Sequence, residues 1–121
     1  LTVLIIIMFS QMNLFKKIYF VFTRDYETRL VNSYEYCGKE SIGFLSDVKK
    51  NFQIDYRIPI VNFTSSPNSS WYYNDLKNIK NKKIIFLNYN SNYKVNTKYS
   101  QNLKDYKVLH QYNNCYLLVI K

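Results

Sequence analysis

The chain has 121 residues, 47% of them hydrophobic and 18% aromatic, including 13 Tyr and 8 Phe. That is the length of one domain, with enough apolar mass for a core built largely of rings. With Gly38 and Gly43 its only glycines, it has no glycine-rich loop to cradle a nucleotide's phosphates, which argues against an autonomous nucleotide-dependent enzyme. The net charge of +9 rests on Lys far more than on Arg. Lys, Asn, Ile and Tyr are abundant and Ala is absent, a bias that AT-rich codons produce by themselves. Arg, which bidentate phosphate and base recognition prefers, is scarce. Nucleic acid is therefore disfavoured as a partner, and membrane lipid is preferred.

Leu1 to Phe9 (LTVLIIIMF) is apolar but for Thr2, and no initiator Met precedes it. It reads as the tail of a last transmembrane helix in a longer protein, supplying about half of the roughly 20 residues a span needs. Residues 14–23 place Lys16 and Lys17 beside Tyr19, Phe20 and Phe22. Rings and snorkelling ammoniums suit the headgroup region, so this stretch reads as an interfacial continuation. A secretory signal fits poorly, because there is no basic stretch at the start and no small-residue cleavage site. A buried β-branched strand is the competing expectation for the opening run. The division expected is 1–23 for the membrane segment and 24–121 for a small α/β extracytoplasmic domain. The Lys16–Lys17 pair pulls the other way, since flanking lysines favour the cytoplasmic side.

From Tyr26 to Phe52 apolar residues recur at spacings of three, four and seven, which predicts one long helix or two abutting ones. Gly38 is the expected C-terminal cap of the first, with the second starting near Lys39 to Ser41. Ile58 to Phe63 predicts a short strand with Pro59 near its start. Thr64 to Ser70 reads as loop. Trp71 to Ile79 predicts a short helix with Tyr72, Leu76 and Ile79 on one face. Lys82 to Leu87 is the clearest buried strand, Asn88 to Asn96 reads as loop, and Tyr99 to Leu103 as one or two helical turns. Lys107 to Tyr112 alternates, Asn113 and Asn114 supply a two-residue turn, and Cys115 to Ile120 returns as a covered strand. The fold class expected is α/β: a small two- or three-layer domain with a short mixed sheet ending in a C-terminal β-hairpin, preceded by a partial transmembrane helix.

No constellation carries a reaction. Cys37 and Cys115 read first as two small buried hydrophobes, with a disulfide as the alternative; their spacing does not suit zinc. His110 reads as structural, on one face with Val108 and Tyr112, and no partner is placed to make a triad with it. Asp25 and Glu27, next to Arg24, suit a helix start, though a lipid phosphate would also meet that cluster. Lys77, Lys80, Lys82 and Lys83 suit a solvated turn, or else an anion site. The tyrosines of Tyr89 to Tyr99 would suit stacking on a carbohydrate or base, without any RNA-binding motif. Asn62-Phe63-Thr64 and Asn68-Ser69-Ser70 match the glycosylation triplet. Catalytic, cofactor-binding and metal-ligating residues are none in this reading, and no cofactor is expected.

The layout, with its closing phrase YKVLHQYNNCYLLVIK, resembles the C-terminal extracytoplasmic domain of polytopic membrane glycosyltransferases. These are the enzymes similar to protein O-mannosyltransferases and to aminoarabinose transferase. Leu103 to Val108 and Asn114 to Leu118 carry the likeness. The resemblance implies a small α/β domain after a last membrane helix, in an enzyme that takes sugar from a polyprenyl-phosphate donor to a glycan or lipid acceptor. It implies metal-assisted or acid/base chemistry on acidic residues of a first extracytoplasmic loop, to which nothing in this chain corresponds. The part seen here would then be a lid or acceptor-side platform. The alternatives are a non-catalytic, membrane-tethered envelope or interaction domain, and a small basic nucleic-acid-binding domain.

Overall fold

A computed structural model describes every residue except Met12 and Asn81. The chain begins with two helices, α1 (Thr2–Gln11) and α2 (Leu14–Thr23), followed by α3 (Tyr26–Tyr34) and α4 (Ile42–Asn51). Four strands follow: β1 (Ile60–Asn62), β2 (Lys83–Leu87), β3 (Tyr106–Tyr112) and β4 (Cys115–Ile120). They form one mixed sheet in the order β1-β2-β4-β3, with β1 parallel to β2 and β4 antiparallel to both its neighbours. The fold is thus the α/β arrangement with a closing hairpin.

The sheet has two covered faces, because side chains alternate along each strand. Ile60, Ile85, Leu87, Cys115 and Leu117 pack against α4 residues Ile42, Phe44, Leu45 and Val48 and against Tyr73. Val61, Ile84, Phe86 and Leu118 face the other way and are covered by Phe63, Tyr106 and the loop residues Tyr89, Val95 and Tyr99. A strand with cover on both sides carries no polar face, which is why β4 reads as a nearly continuous apolar run. Tyr73 is fully buried, and its hydroxyl donates to the Leu45 carbonyl oxygen at 3.0 Å.

Several expectations change. The opening run is helical, so the buried-strand alternative fails: α1 begins one residue after Leu1 and lies on the surface. Gly38 is not the cap of α3. That helix stops at Tyr34 because Glu35 takes φ 63°, and α4 begins after Ser41, also left-handed at φ 55°. Trp71 to Ile79 is not an α-helix. A 3-10 turn over Ser69–Tyr73 starts the segment, and Ile79, expected to share one helix face with Tyr72 and Leu76, is exposed. There Arg57 competes with helix formation: its guanidinium donates to the carbonyls of Leu76 and Asn74 at 2.6 and 2.8 Å. The turns expected over Tyr99 to Leu103 reduce to a 3-10 turn at Leu103–Asp105.

The hairpin forms as its sequence predicts, with Asn113 at φ 47°, a conformation Asn tolerates. One detail departs. Val108 pairs with Leu118 but His110 pairs with Leu117, so Leu109 is an extra residue in β3. Such a bulge reverses the alternation beyond it. His110 therefore shares the helix-covered face with Tyr112, not the face of Val108. Cys37 and Cys115 are joined in a disulfide, with Cα atoms 6.1 Å apart, rather than buried as free thiols.

Candidate membrane-facing site

The segment 35–41, between α3 and α4, holds the helices to the sheet. Gly43 has no side chain where one would collide: a Cβ there would lie 2.6 Å from the Tyr36 Cα. This lets the segment lie on the start of α4, whose unpaired amides find acceptors in it. Gly43 N–H donates to the Glu35 carbonyl at 3.2 Å and Phe44 N–H to that of Tyr36 at 2.8 Å. The Asn88 side-chain amide donates to the carbonyls of Gly38 and Lys39 at 3.1 and 3.0 Å, and that of Asn62 to Lys39 at 3.0 Å. The Ser69 hydroxyl donates to the Glu40 carbonyl at 2.5 Å. Cys37 is bonded to Cys115 in the middle of all this.

These contacts have a chemical consequence. Open α/β sheets bind ligands outside the carboxyl ends of parallel strands. Here β1 and β2 end at Asn62 and Leu87, and the amides of Asn62 and Asn88 are spent on the chain's own carbonyls. Asn62 is also buried, so its glycosylation triplet is shut inside the fold. Asn68, of the second triplet, donates to the Ile60 carbonyl at 2.9 Å and accepts from the Ser70 amide at 3.0 Å.

His110 is placed where sequence could not put it. Its ring stacks on Phe44, with centroids 5.6 Å apart and planes 11° apart, and tilts against Phe52. Nε2 lies 3.2 Å from the Asp47 carboxylate, at an angle that makes no hydrogen bond. Asp47 instead accepts from the Asn51 amide at 2.6 Å. Burial and the nearby Asp47 carboxylate push the Tyr36 hydroxyl up to about 12, and its ring meets that of Tyr112 edge-on at 4.6 Å. Among the described residues no Ser, Thr or Cys side chain is hydrogen-bonded to the imidazole, and the group packs between α4 and the hairpin. Only the Leu109 bulge brings His110 to Asp47, and no signal in the sequence announces a bulge.

Several of the other charged and aromatic candidates also serve structural contacts. Asp25 caps α3, accepting from the Thr28 amide at 3.2 Å, and this holds its carboxyl below the usual range. Glu27 pairs with Lys50. Lys80 and Lys83 lie over the ring of Tyr56, at 4.7 and 5.8 Å from its centroid. Tyr89 stacks on Phe86, and its hydroxyl donates to the Gln101 carbonyl at 3.1 Å. Among the described residues no cluster of His, Cys, Asp and Glu has the numbers to hold a metal ion.

The N-terminal pair of helices carries most of the exposed large hydrophobic side chains among the described residues. Val3, Leu4, Ile5, Ile6, Ile7 and Met8 are all exposed, Ile6 at 64% and Val3 at 68%. α1 is apolar on every side, and a helix of that kind belongs in a core or in lipid. At 10 residues it is about 15 Å long, half the roughly 30 Å of a bilayer's hydrocarbon. Among the described residues no helix is long and apolar enough to cross a membrane. Asn13, left-handed at φ 50°, separates α1 from α2. α2 exposes Ile18, Tyr19, Val21 and Phe22 and carries Lys16 and Lys17. Arg24, at its end, lies 5.9 Å from the Phe20 ring centroid. No protein-family model, curated protein or solved structure matches the chain.

Proposed function

We propose that the chain is a membrane-tethered accessory domain: the C-terminal extracytoplasmic part of a membrane-embedded glycosyltransferase that uses a lipid-linked sugar donor. The observation that carries the tether is the exposure of α1 on all sides, beside an α2 with lysines and rings. In water that surface costs free energy in proportion to its apolar area, and lipid removes the cost. The extracytoplasmic side rests on the Cys37–Cys115 disulfide, since such bonds persist in oxidising compartments. The glycosyltransferase part rests on the resemblance alone. An accessory rather than catalytic role is supported by the Asn62 and Asn88 amides at the ends of β1 and β2, which are spent on the chain's own carbonyls. The same observation favours the second reading, a non-catalytic envelope or interaction domain on the same tether.

Vesicle flotation tests the tether. The chain should float with phosphatidylcholine vesicles, and Ile6→Asp should abolish this while leaving the disulfide-bonded domain folded. Sequencing the transcript upstream of Leu1 separates the two readings. Many further apolar helices with an acidic first loop support the glycosyltransferase; a single span would exclude it and leave the interaction domain.

A further inference from the structure

We infer that the junction of α2 and α3 is a binding site for the phosphate of an anionic phospholipid headgroup. This rests on the tethered reading above and adds a ligand class to it.

A cavity of about 680 Å³ opens between the two helices, lined by Lys16, Lys17, Phe20, Val21, Arg29 and Ser33. Three cations thus line one hollow, and among the described residues none of them is paired with a carboxylate. The two nearest acids in sequence are engaged elsewhere, Asp25 as the cap of α3 and Glu27 with Lys50. Arg29 is the most telling member. It is half-buried, and its Nε is withdrawn from water with no hydrogen-bond partner. A guanidinium N–H left in that state is costly and uncommon in a folded protein, and an acceptor oxygen entering the hollow removes the cost. Phosphate matches the fork of a guanidinium in charge and geometry, and two lysines beside it suit its remaining oxygens.

The walls decide what carries the phosphate. Phe20 and Val21 close one side of the cavity, on the helix that follows the exposed apolar α1. A ligand seated there meets cations and apolar side chains in the same hollow, on a helix that follows directly on the exposed apolar α1. That is the polarity of a phospholipid at the boundary of headgroup and acyl chain. A free phosphate would use only the cations of the site.

The test is binding of the full chain to phosphatidylcholine vesicles with and without phosphatidylglycerol. The expected result is tighter binding to the anionic vesicles. Arg29→Gln should reduce that gain by more than the about fivefold that one cation near a charged surface contributes. Arg24→Gln, an equal loss of charge at the same end but outside the cavity, should reduce it by no more than that. Should Arg29→Gln fail to fold, Lys16→Gln alone, an exposed residue of the cavity and an equal loss of charge, makes the same comparison. Equal losses for Arg24 and for the cavity variants would show general surface attraction and overturn the site. A rise in melting temperature with soluble glycerol phosphate alone would show a free-phosphate site and overturn the lipid assignment. Binding to neutral vesicles with no gain from phosphatidylglycerol overturns the headgroup site and leaves the tether standing. No binding to either vesicle overturns both.

Discussion

Two apolar stretches of this chain meet opposite fates. Cys115 to Ile120 becomes β4, hydrogen-bonded on both edges to β2 and β3, with Cys115, Leu117 and Leu118 fully buried. Leu1 to Phe9 supplies most of α1, in which Val3 to Met8 lie exposed. The difference lies less in hydrophobicity than in what surrounds each. β4 lies between two strands and beneath two layers of side chains, so its backbone and its side chains are satisfied together. α1 satisfies its own backbone internally, while Val3 to Met8 remain exposed to solvent. Burial inside this chain is thus a matter of which surfaces meet, and not of hydrophobicity alone.

The contrast can be broken or sharpened by substitution. Phe86→Ala removes a fully buried ring that touches Phe63, Tyr89 and Tyr106. It should cost about 3–5 kcal/mol in denaturant unfolding, whereas Ile6→Ala on α1 should stay within about 0.5 kcal/mol in the absence of lipid. A large loss from Ile6→Ala would mean that α1 packs on the domain after all. Replacing both Cys37 and Cys115 by Ser opens a link that spans 78 residues and should cost about 2–4 kcal/mol, visible as a lower thermal midpoint that reducing agent no longer changes. Gly43→Ala drives a methyl group into the Tyr36 backbone, 2.6 Å away. The strain should cost about 1–3 kcal/mol; an unchanged midpoint would show that segment 35–41 is free to move off α4.

The smallest effect is one of pH. The Tyr36 hydroxyl, raised to about 12 by burial and by the Asp47 carboxylate, titrates above its ordinary value near 10. Between these values the unfolded chain has released a proton that the folded one retains, so stability falls as pH rises through that window and is fully present below it. Tyr36→Phe should flatten this part of the alkaline unfolding curve. Burial also raises Tyr73 and Tyr106, so a residual slope remains in the variant. A curve identical to that of the parent would place the slope on those two rings instead.

The sequence was most legible where a local rule needs no distant help. The strand at Lys83–Leu87, the Asn113–Asn114 hairpin and a helix start near Asp25 and Glu27 each follow from a few neighbouring residues. It was least legible between Glu35 and Ser41. There the helical spacing continues past Tyr34, but the backbone breaks twice into left-handed conformations, at Glu35 and Ser41. Those turns are held by contacts with residues far off in the chain, at Asn62, Ser69, Asn88 and Cys115.

By itself, then, the order of apolar runs and turn residues determined an α/β layer with a closing hairpin, and an opening stretch too greasy to sit comfortably in water. Only the tertiary structure decided that the two cysteines join, that a bulge at Leu109 turns His110 to the helix side, and that Arg29 meets Lys16 and Lys17 around one hollow. Periodicity is written into each segment's own residues. Pairing, facing and convergence depend on which segments meet, and that is set by the competition of all of them for the same two faces of the sheet.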